Sequence, residues 1–333
     1  MMTGPTGETH AEWDGMLLAP LWASKTVHKA GIRQPRPHHW RWSGLHRSAM
    51  QAAEIASPEV VERRVLRLVN PDATSDADES TVGTIVAAIQ TLLPGESARP
   101  HRHSMHALRF VLEGEGVETI VDGHPIPMNS RDMLLTPGWC WHGHRHSGER
   151  PMIWLDVLDA PLHALLGTVE FEPGPPNQYP DCLPADAFAA PNVVPLGVKT
   201  GVPYSPIFIY PYQAITRAVA AAPVGPDRAR SVRYVNPVNG GAVLPTLECR
   251  MVELMPSQQT RAVRTNASTV VLVVDGEGES WIGDQHYSWS KFDIFTCPQN
   301  SWASHKSDGR ARIFTISDRE SLRRLDLLRD ELQ

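Results

Sequence analysis

Two halves of this 333-residue chain repeat one another in order, and no other feature of the sequence limits its fold as tightly. "LEGEG" (Leu112–Gly116) returns as "VDGEG" (Val274–Gly278), 162 residues later. "RDMLLTP" (Arg131–Pro137) returns as "FDIFTCP" (Phe292–Pro298) at a spacing of 161, and "RLVNP" (Arg67–Pro71) as "RYVNP" (Arg233–Pro237). Three matches in one order mean a duplicated domain. The runs between them are short and apolar: "TIVAAIQTLL", "ALRFVLEG", "VETIVDG", "DMLLTP", "MIWLDVL". Each closes on Gly, Pro, Asn or Asp, the pattern of antiparallel strands in a barrel or sandwich. The expected fold is all-β dominated: two β-sandwich or jelly-roll barrels from an internal duplication, with a few peripheral helices.

The expected organisation is an N-terminal arm (1–75) with helical and irregular segments, a first β domain (76–165), a crossover (166–232), a second β domain (233–317) and a C-terminal helix (318–333). In the arm, "PEVVERRVLRL" (Pro58–Leu68) fits either a helix or the start of a strand. Residues 171–211 hold 10 of the 29 prolines, which reads as a linker rather than a packed element. Leu322, Leu325 and Leu328, with charges between them, give the terminal helix its amphipathic stripe. A net charge of -6 without a basic block argues against nucleic acid as a partner. No stretch approaches the ~18 apolar residues of a membrane span, and no export signal is visible. The cysteines (Cys140, Cys182, Cys249, Cys297) are scattered and form no CxxC pair, so neither a disulfide framework nor a thiolate site is suggested. The expectation is a cytoplasmic protein acting on a small molecule.

Seven of the 15 histidines fall between residues 101 and 146, and only His286 and His305 follow residue 166. On a strand, His101 and His103 leave the same face, and if the strand continues regularly Arg109 follows them there. His142 and His144 share a face on a second strand-like stretch, which could face the first across a barrel. A lone HxH is most often a polar loop. The duplication changes that weighing: aligned through it, His101, His103 and His142 become Val263, Thr265 and Ala303, as if one copy kept a metal site and the other lost it. Three neutral imidazoles suit a divalent transition metal and leave positions open for substrate.

"GESARPHRH" followed by "RDMLLTPGWCWH" resembles the two cupin motifs. The usual glutamate ligand falls at Ala107, the second-motif glycines at Arg131 and Trp139, and the closing asparagine at His146. Longer stretches, among them "VVERRVLRLVNP", "LLPGESARPHRHSMHALRFVLEGEG" and "TPGWCWHGHRHSGERPMIWLDVLDAPL", are similar to the gentisate 1,2-dioxygenase family, which includes salicylate, 1-hydroxy-2-naphthoate and 5-nitrosalicylate dioxygenases. The resemblance runs from about Trp22 to Asp318. It implies a homotetrameric bicupin with one Fe(II) per subunit in the N-terminal cupin, held by His101, His103 and His142. It further implies O2 as co-substrate and cleavage of a salicylate-type ring between its carboxyl- and hydroxyl-bearing carbons. A zinc or manganese hydrolase, decarboxylase or isomerase, or a non-enzymatic ligand-binding bicupin, is the competing expectation.

Arg109 is the first candidate for the substrate carboxylate, because a planar guanidinium pairs bidentately with it. His144, two residues past a ligand, is the candidate to donate to a phenolate or move a proton. The resemblance adds Gln90 beside the carboxylate, Asp156 as an orienting group, and Arg63 and Arg67 of the "ERR" segment as substrate contacts. It also aligns Val86 and Ala88 with a large aromatic and a glycine of relatives, which reshapes the pocket wall and sets a salicylate with another 5-substituent, nitro included, beside gentisate as a substrate. His106, His124 and His146 are read as loop residues, and His305 as a relic.

Overall fold

The computed structural model describes residues 35–61, 63–72, 80–174, 187, 193–196, 198 and 201–333. The expectations for residues 1–34, for Cys182 and for the middle of the proline-rich stretch lie outside the described residues. The arm contributes β1 (His39–Trp40), α1 (Trp42–Ile55), α2 (Pro58–Val61) and β2 (Val65–Arg67). "PEVVERRVLRL" is therefore one helical turn followed by a strand, not one element. The first barrel follows as β3 (Val86–Leu92), β4 (Ser97–His103), β5 (Ala107–Glu113), β6 (Val117–Val121), β7 (His124–Met128), β8 (Met133–Thr136), β9 (His142–His146) and β10 (Met152–Leu158). Its sheets run β12-β8-β5-β10-β3-β2 and β11-β4-β9-β6-β7, completed by β11 (Phe171–Pro173) and β12 (Ile209–Tyr210) beyond α3 (Ala160–Leu166).

After α4 (Tyr212–Ala221) comes the second barrel. Its strands are β13 (Ala229–Arg233), β14 (Glu248–Leu254), β15 (Gln258–Gln259), β16 (Val263–Thr265), β17 (Thr269–Asp275), β18 (Gly278–Ile282), β19 (Gln285–Trp289), β20 (Ile294–Cys297), β21 (Trp302–Ser307) and β22 (Ala311–Ser317). α5 (Arg319–Arg324) and β23 (Asp330–Leu332) end the chain. Two expectations change. The crossover 166–232 supplies three strands and a helix rather than a bare linker. Of its described prolines, Pro173 sits at a strand end and Pro211 just before a helix, positions that tolerate a missing backbone donor. The helix expected over 318–333 stops at Arg324, because Asp326 turns to φ +57° and β23 then pairs with β16.

The strands β3, β5 and β10 are covered on both faces, so their sequences are mostly apolar, interrupted by Gln90, Thr91, Arg109 and Asp156. One face looks into the first barrel. The other packs on the second barrel, where Phe110 meets Phe314 at a ring separation of 4.7 Å inside a continuous core with Leu108, Met251 and Ile316. β1 crosses to the second barrel and pairs His39 with Phe295, so the arm ties the two halves. Asp275 ties them again, pairing with Arg131 at 2.8 Å and Arg312 at 3.5 Å and accepting from Tyr212.

The duplicated motifs are corners. Arg131 and Trp139, which stand where cupin motifs carry glycine, have φ of +68° and +67°; their counterparts Phe292 and Asn300 have +67° and +62°. Both copies hold the left-handed turn without a glycine. The repeated "GEG" follows a bulge: the β5–β10 register slips at Leu112, and Gly114 just beyond it has φ +94° with Pro151 O only 2.5 Å from where a Cβ would be. Gly114→Ala is therefore expected to cost about 2–4 kcal/mol, whereas Gly95→Ala, at φ +80° but with open space around it, should cost about 1 kcal/mol. Urea unfolding of the two variants checks the difference; equal costs would contradict the steric account.

Candidate metal centre and its barrel

β4 and β9 are neighbours in one sheet, not strands facing each other across the barrel. They pair antiparallel with His101 opposite His142, after a bulge that sets Ala98 opposite His144. The bulge inserts one residue near Pro100, and Gly143 lets that backbone approach: a Cβ there would lie 3.0 Å from Ala98 O. The alternation of the pleat then sends His101, His103, His142 and His144 to one face. All four are buried, at 5%, 6%, 1% and 2% exposure. The rings of His101, His103 and His142 lie 4.5–5.4 Å apart, and these three can each offer a nitrogen within 4.8 Å of the others.

Arg109 does not continue the His101–His103 strand. The chain turns at Ser104–His106 and enters the other sheet, so Arg109 comes to the site from the opposite wall. There Asp156 is its register partner on β10 and Ala88 is the partner of Asp156 on β3. Val86, Ala88, Gln90, Trp154, Asp156 and Arg109 consequently share one inner face. Arg109 Nε lies 3.1 Å from Asp156 Oδ1 as an ion pair, without the N–H aimed at that oxygen, and Arg109 Nη1 donates to Thr136 Oγ1. Asp156 Oδ2 accepts from Trp154 Nε1 at 3.1 Å. Burial pushes the Asp156 carboxyl up against the attraction of Arg109. Arg63 leaves the segment between α2 and β2, donates to His101 Nδ1 at 3.0–3.1 Å and reaches Arg99 O. Arg67 is exposed at the end of β2, opposite Ala88. Arg63 and Arg67 are thus not the face of one helix.

The ring nitrogens separate by their partners. His103 Nδ1 faces Met105 O at 2.9 Å and His142 Nδ1 faces Cys140 O at 3.0 Å. A carbonyl only accepts, so both rings carry hydrogen on Nδ1 and present an Nε2 lone pair inward. His144 differs. Its Nδ1 faces the Thr119 hydroxyl at 3.0 Å; that hydroxyl also lies 3.0 Å from Met128 Sδ, a weaker acceptor. A hydroxyl can accept from Nδ1 while donating to Sδ, or donate to Nδ1 itself, so His144, unlike His103 and His142, is not fixed in one tautomer by its partner. The Nε2 atoms of His142 and His144 are buried without a partner. Thr119 was invisible in the sequence, where it is an ordinary threonine of an alternating strand; only its equivalence to Ser280 beside His305 offered a signal.

Of the three histidines expected in loops, His106 lies in the turn between β4 and β5, whereas His124 and His146 are strand residues. His106 takes a hydrogen bond from Gly138 N on Nδ1 at 2.9 Å, while its own N–H donates to Asp159 at 2.8 Å. His124 and His146 stand in β7 and β9, and His146 Nε2 is 2.7 Å from Arg150 O.

Burial, reinforced by Arg63, neighbouring histidines and Arg109, lowers His101 to about 2; burial, against the Met105 carbonyl, lowers His103 to about 4. Burial and Arg109 hold His142 and His144 well below their usual range. Four rings that stay neutral when folded take up protons once unfolded, below their ordinary value of 6.5. Stability of the metal-free protein is then intact above that value and falls as pH drops from 6.5 toward 4, by up to about 1.4 kcal/mol per pH unit for each ring. Urea midpoints across this window should show the slope, shallower in His142→Phe; an unchanged slope in that variant contradicts burial as the cause.

Two strand-paired sheets closed around inward histidines define a cupin, and the family model described as "Cupin domain" matches residues 88–158. The chain is 36% identical to a 5-aminosalicylate 1,2-dioxygenase of Comamonas sp., over 94% of this chain and 87% of that protein. It is 32% identical to gentisate 1,2-dioxygenase 1 of Aquipseudomonas alcaligenes, over 97% and 95%. A crystal structure of salicylate 1,2-dioxygenase from Pseudoaminobacter salicylatoxidans with gentisate superposes with a TM-score of 0.87 at 32% identity, covering 97% of this chain and 92% of that one. The chain belongs to the gentisate/salicylate 1,2-dioxygenase family of ring-cleaving oxidoreductases.

Proposed function

We propose that the first barrel binds Fe(II) through His101, His103 and His142, and that the enzyme adds both atoms of O2 to a salicylate-type acid, cleaving the ring between its carboxyl- and hydroxyl-bearing carbons. One observation carries the reading: three buried, neutral imidazoles converge within 4.8 Å, and a buried guanidinium faces them from the opposite wall. The donor set fits the ion. His142 Nε2 is orphaned and buried, and carbonyls fix two of the rings in the ligating tautomer. His101 fits once Arg63 turns from Nδ1, because ligation through Nε2 needs the hydrogen on Nδ1. The ion, when bound, supplies open positions where a 2-hydroxybenzoate can chelate and a redox centre that lets O2 react with a closed-shell ring.

The protein groups do the rest. Arg109 pairs with the substrate carboxylate, and Asp156 holds the guanidinium in place. His144 donates its Nε2–H to the phenolate oxygen. Gln90 hydrogen-bonds beside the carboxylate, and Arg63 and Arg67 extend the cationic wall. Val86 and Ala88 shape the pocket around the ring. The C–C bond breaks, two C–O bonds form, and the ring supplies all four electrons that O2 takes, so no external reductant is needed. The substrate class is a salicylate carrying a small group or hydrogen at the 5-position: salicylate, gentisate, or the 5-amino or 5-nitro acid. The enzyme acts in the cytoplasm as a homo-oligomer, a tetramer by family resemblance.

Anaerobic loading with Fe(II), then oxygen uptake on a panel of 5-substituted salicylates, tests this. One mole of O2 per mole of a ring-opened diacid is expected; no uptake with any member, with zinc as the bound metal, would sink it. His103→Ala should lose iron and turnover while keeping its fold, since the second barrel stands without such ligands. Arg109→Lys should raise KM about 10- to 100-fold with a smaller change in kcat, as a bidentate contact is lost. An unchanged KM would remove Arg109 from the carboxylate.

A further inference from the structure

The second barrel holds a half-open hollow of about 160 Å³ over the position that corresponds to the metal centre. Val252, Val271 and Ile313 give it an apolar wall, and Arg250, Thr315 and His305 give it polar groups. Val263 pairs with Ala303 where His101 pairs with His142 in the first barrel, so the ion-binding half of the site is gone. The other half is kept. His305 Nδ1 lies 2.7 Å from Ser280 Oγ, and Ser280 Oγ accepts from Trp289 Nε1 at 2.8 Å. The buried Ser280 hydroxyl then has one acceptor for its own hydrogen, His305 Nδ1, and the ring's hydrogen is forced onto Nε2. Burial lowers His305 to about 4, so this is a neutral donor.

The end of the hollow is positive. Glu248 is buried at 1% exposure, and the guanidiniums of Arg250, Arg323, Arg319 and Arg233 lie 2.5, 2.6, 3.4 and 3.7 Å away. Burial opposes its charge, but Arg250, Arg323 and Arg319 outweigh burial and hold the carboxyl below its usual range. With Arg324 on Glu320 and Arg319 on Asp330, the cluster has five arginines and three acids, an excess of two positive charges.

We propose that this hollow is a second, non-catalytic binding site for a single-ring aromatic carboxylate. The ring lies against Val252, Val271 and Ile313, and the carboxylate meets Arg250 and the His305 Nε2–H. The volume sets the size, since it falls below the ~300–1,000 Å³ of pockets for drug-sized ligands. The site works without a metal and is independent of the reading of the first barrel.

Titration calorimetry of benzoate into metal-free His103→Ala protein tests it without any turnover. One saturable site per chain is expected. Its affinity should fall at least tenfold when His305→Leu is added and vanish when Val271→Phe fills the hollow, with the circular dichroism unchanged. No saturable binding, or equal affinity in the His305→Leu protein, overturns the proposal. Should the Val271→Phe protein not fold, the His305→Leu comparison decides alone.

Discussion

The structure depends on one act of burial: two six-stranded sheets pressed back to back, with Phe110, Leu108, Met251, Phe314 and Ile316 in the seam. Apolar surface removed from water there stabilises both barrels at once, at about 25 cal/mol per Å². A barrel that drew its stability from its own interior would have to fill that interior with aliphatic side chains. Here the seam carries the load, and the first barrel can hold four histidines, an arginine and an aspartate inside. The second barrel keeps a smaller apolar cluster of its own around Val271, Val273 and Phe295, with a polar hollow beside it.

Within the first barrel, local chemistry separates residues of the same type. Four inward histidines are equal by position, and their Nδ1 partners divide them. Carbonyls of Met105 and Cys140 make two of them lone-pair donors, and the Thr119 hydroxyl leaves His144 free to take either tautomer. The division needs no charge, because burial and two arginines keep every ring neutral. The same hydroxyl–imidazole pair recurs as Ser280 and His305 in the barrel whose ladder carries Val263 and Ala303 in place of His101 and His142.

Much of this was legible in the sequence, and the failures share a cause. The repeats, the barrel class and the His101–His103–His142 set follow from spacing, which survives without coordinates. The alternation of a single strand puts Arg109 beside His101 and His103, whereas a turn at Ser104–His106 carries it to the facing sheet, opposite Asp156. Strand adjacency was misjudged likewise, since the pairing of His101 with His142 rests on a bulge that no local pattern marks. The strands and helix of the crossover, and the early end of the terminal helix, carry no pattern of their own: prolines suggest a linker, and Leu322, Leu325 and Leu328 keep a helical spacing across the turn at Asp326. Thr119, Thr136 and Trp154 were missed because partners of functional groups carry no signature of their own.

The matched pairing of the two barrels has a practical side. Val263 and Ala303 stand in the same ladder register as His101 and His142, and Thr265 stands where His103 does. The second barrel's corners hold the same left-handed dihedrals as the first. For an engineer this is a blank socket: the spacing, the pleat and the seam are already built. Three substitutions, Val263→His, Thr265→His and Ala303→His, would write a second centre into the same molecule, within reach of the donor that Ser280 already aims.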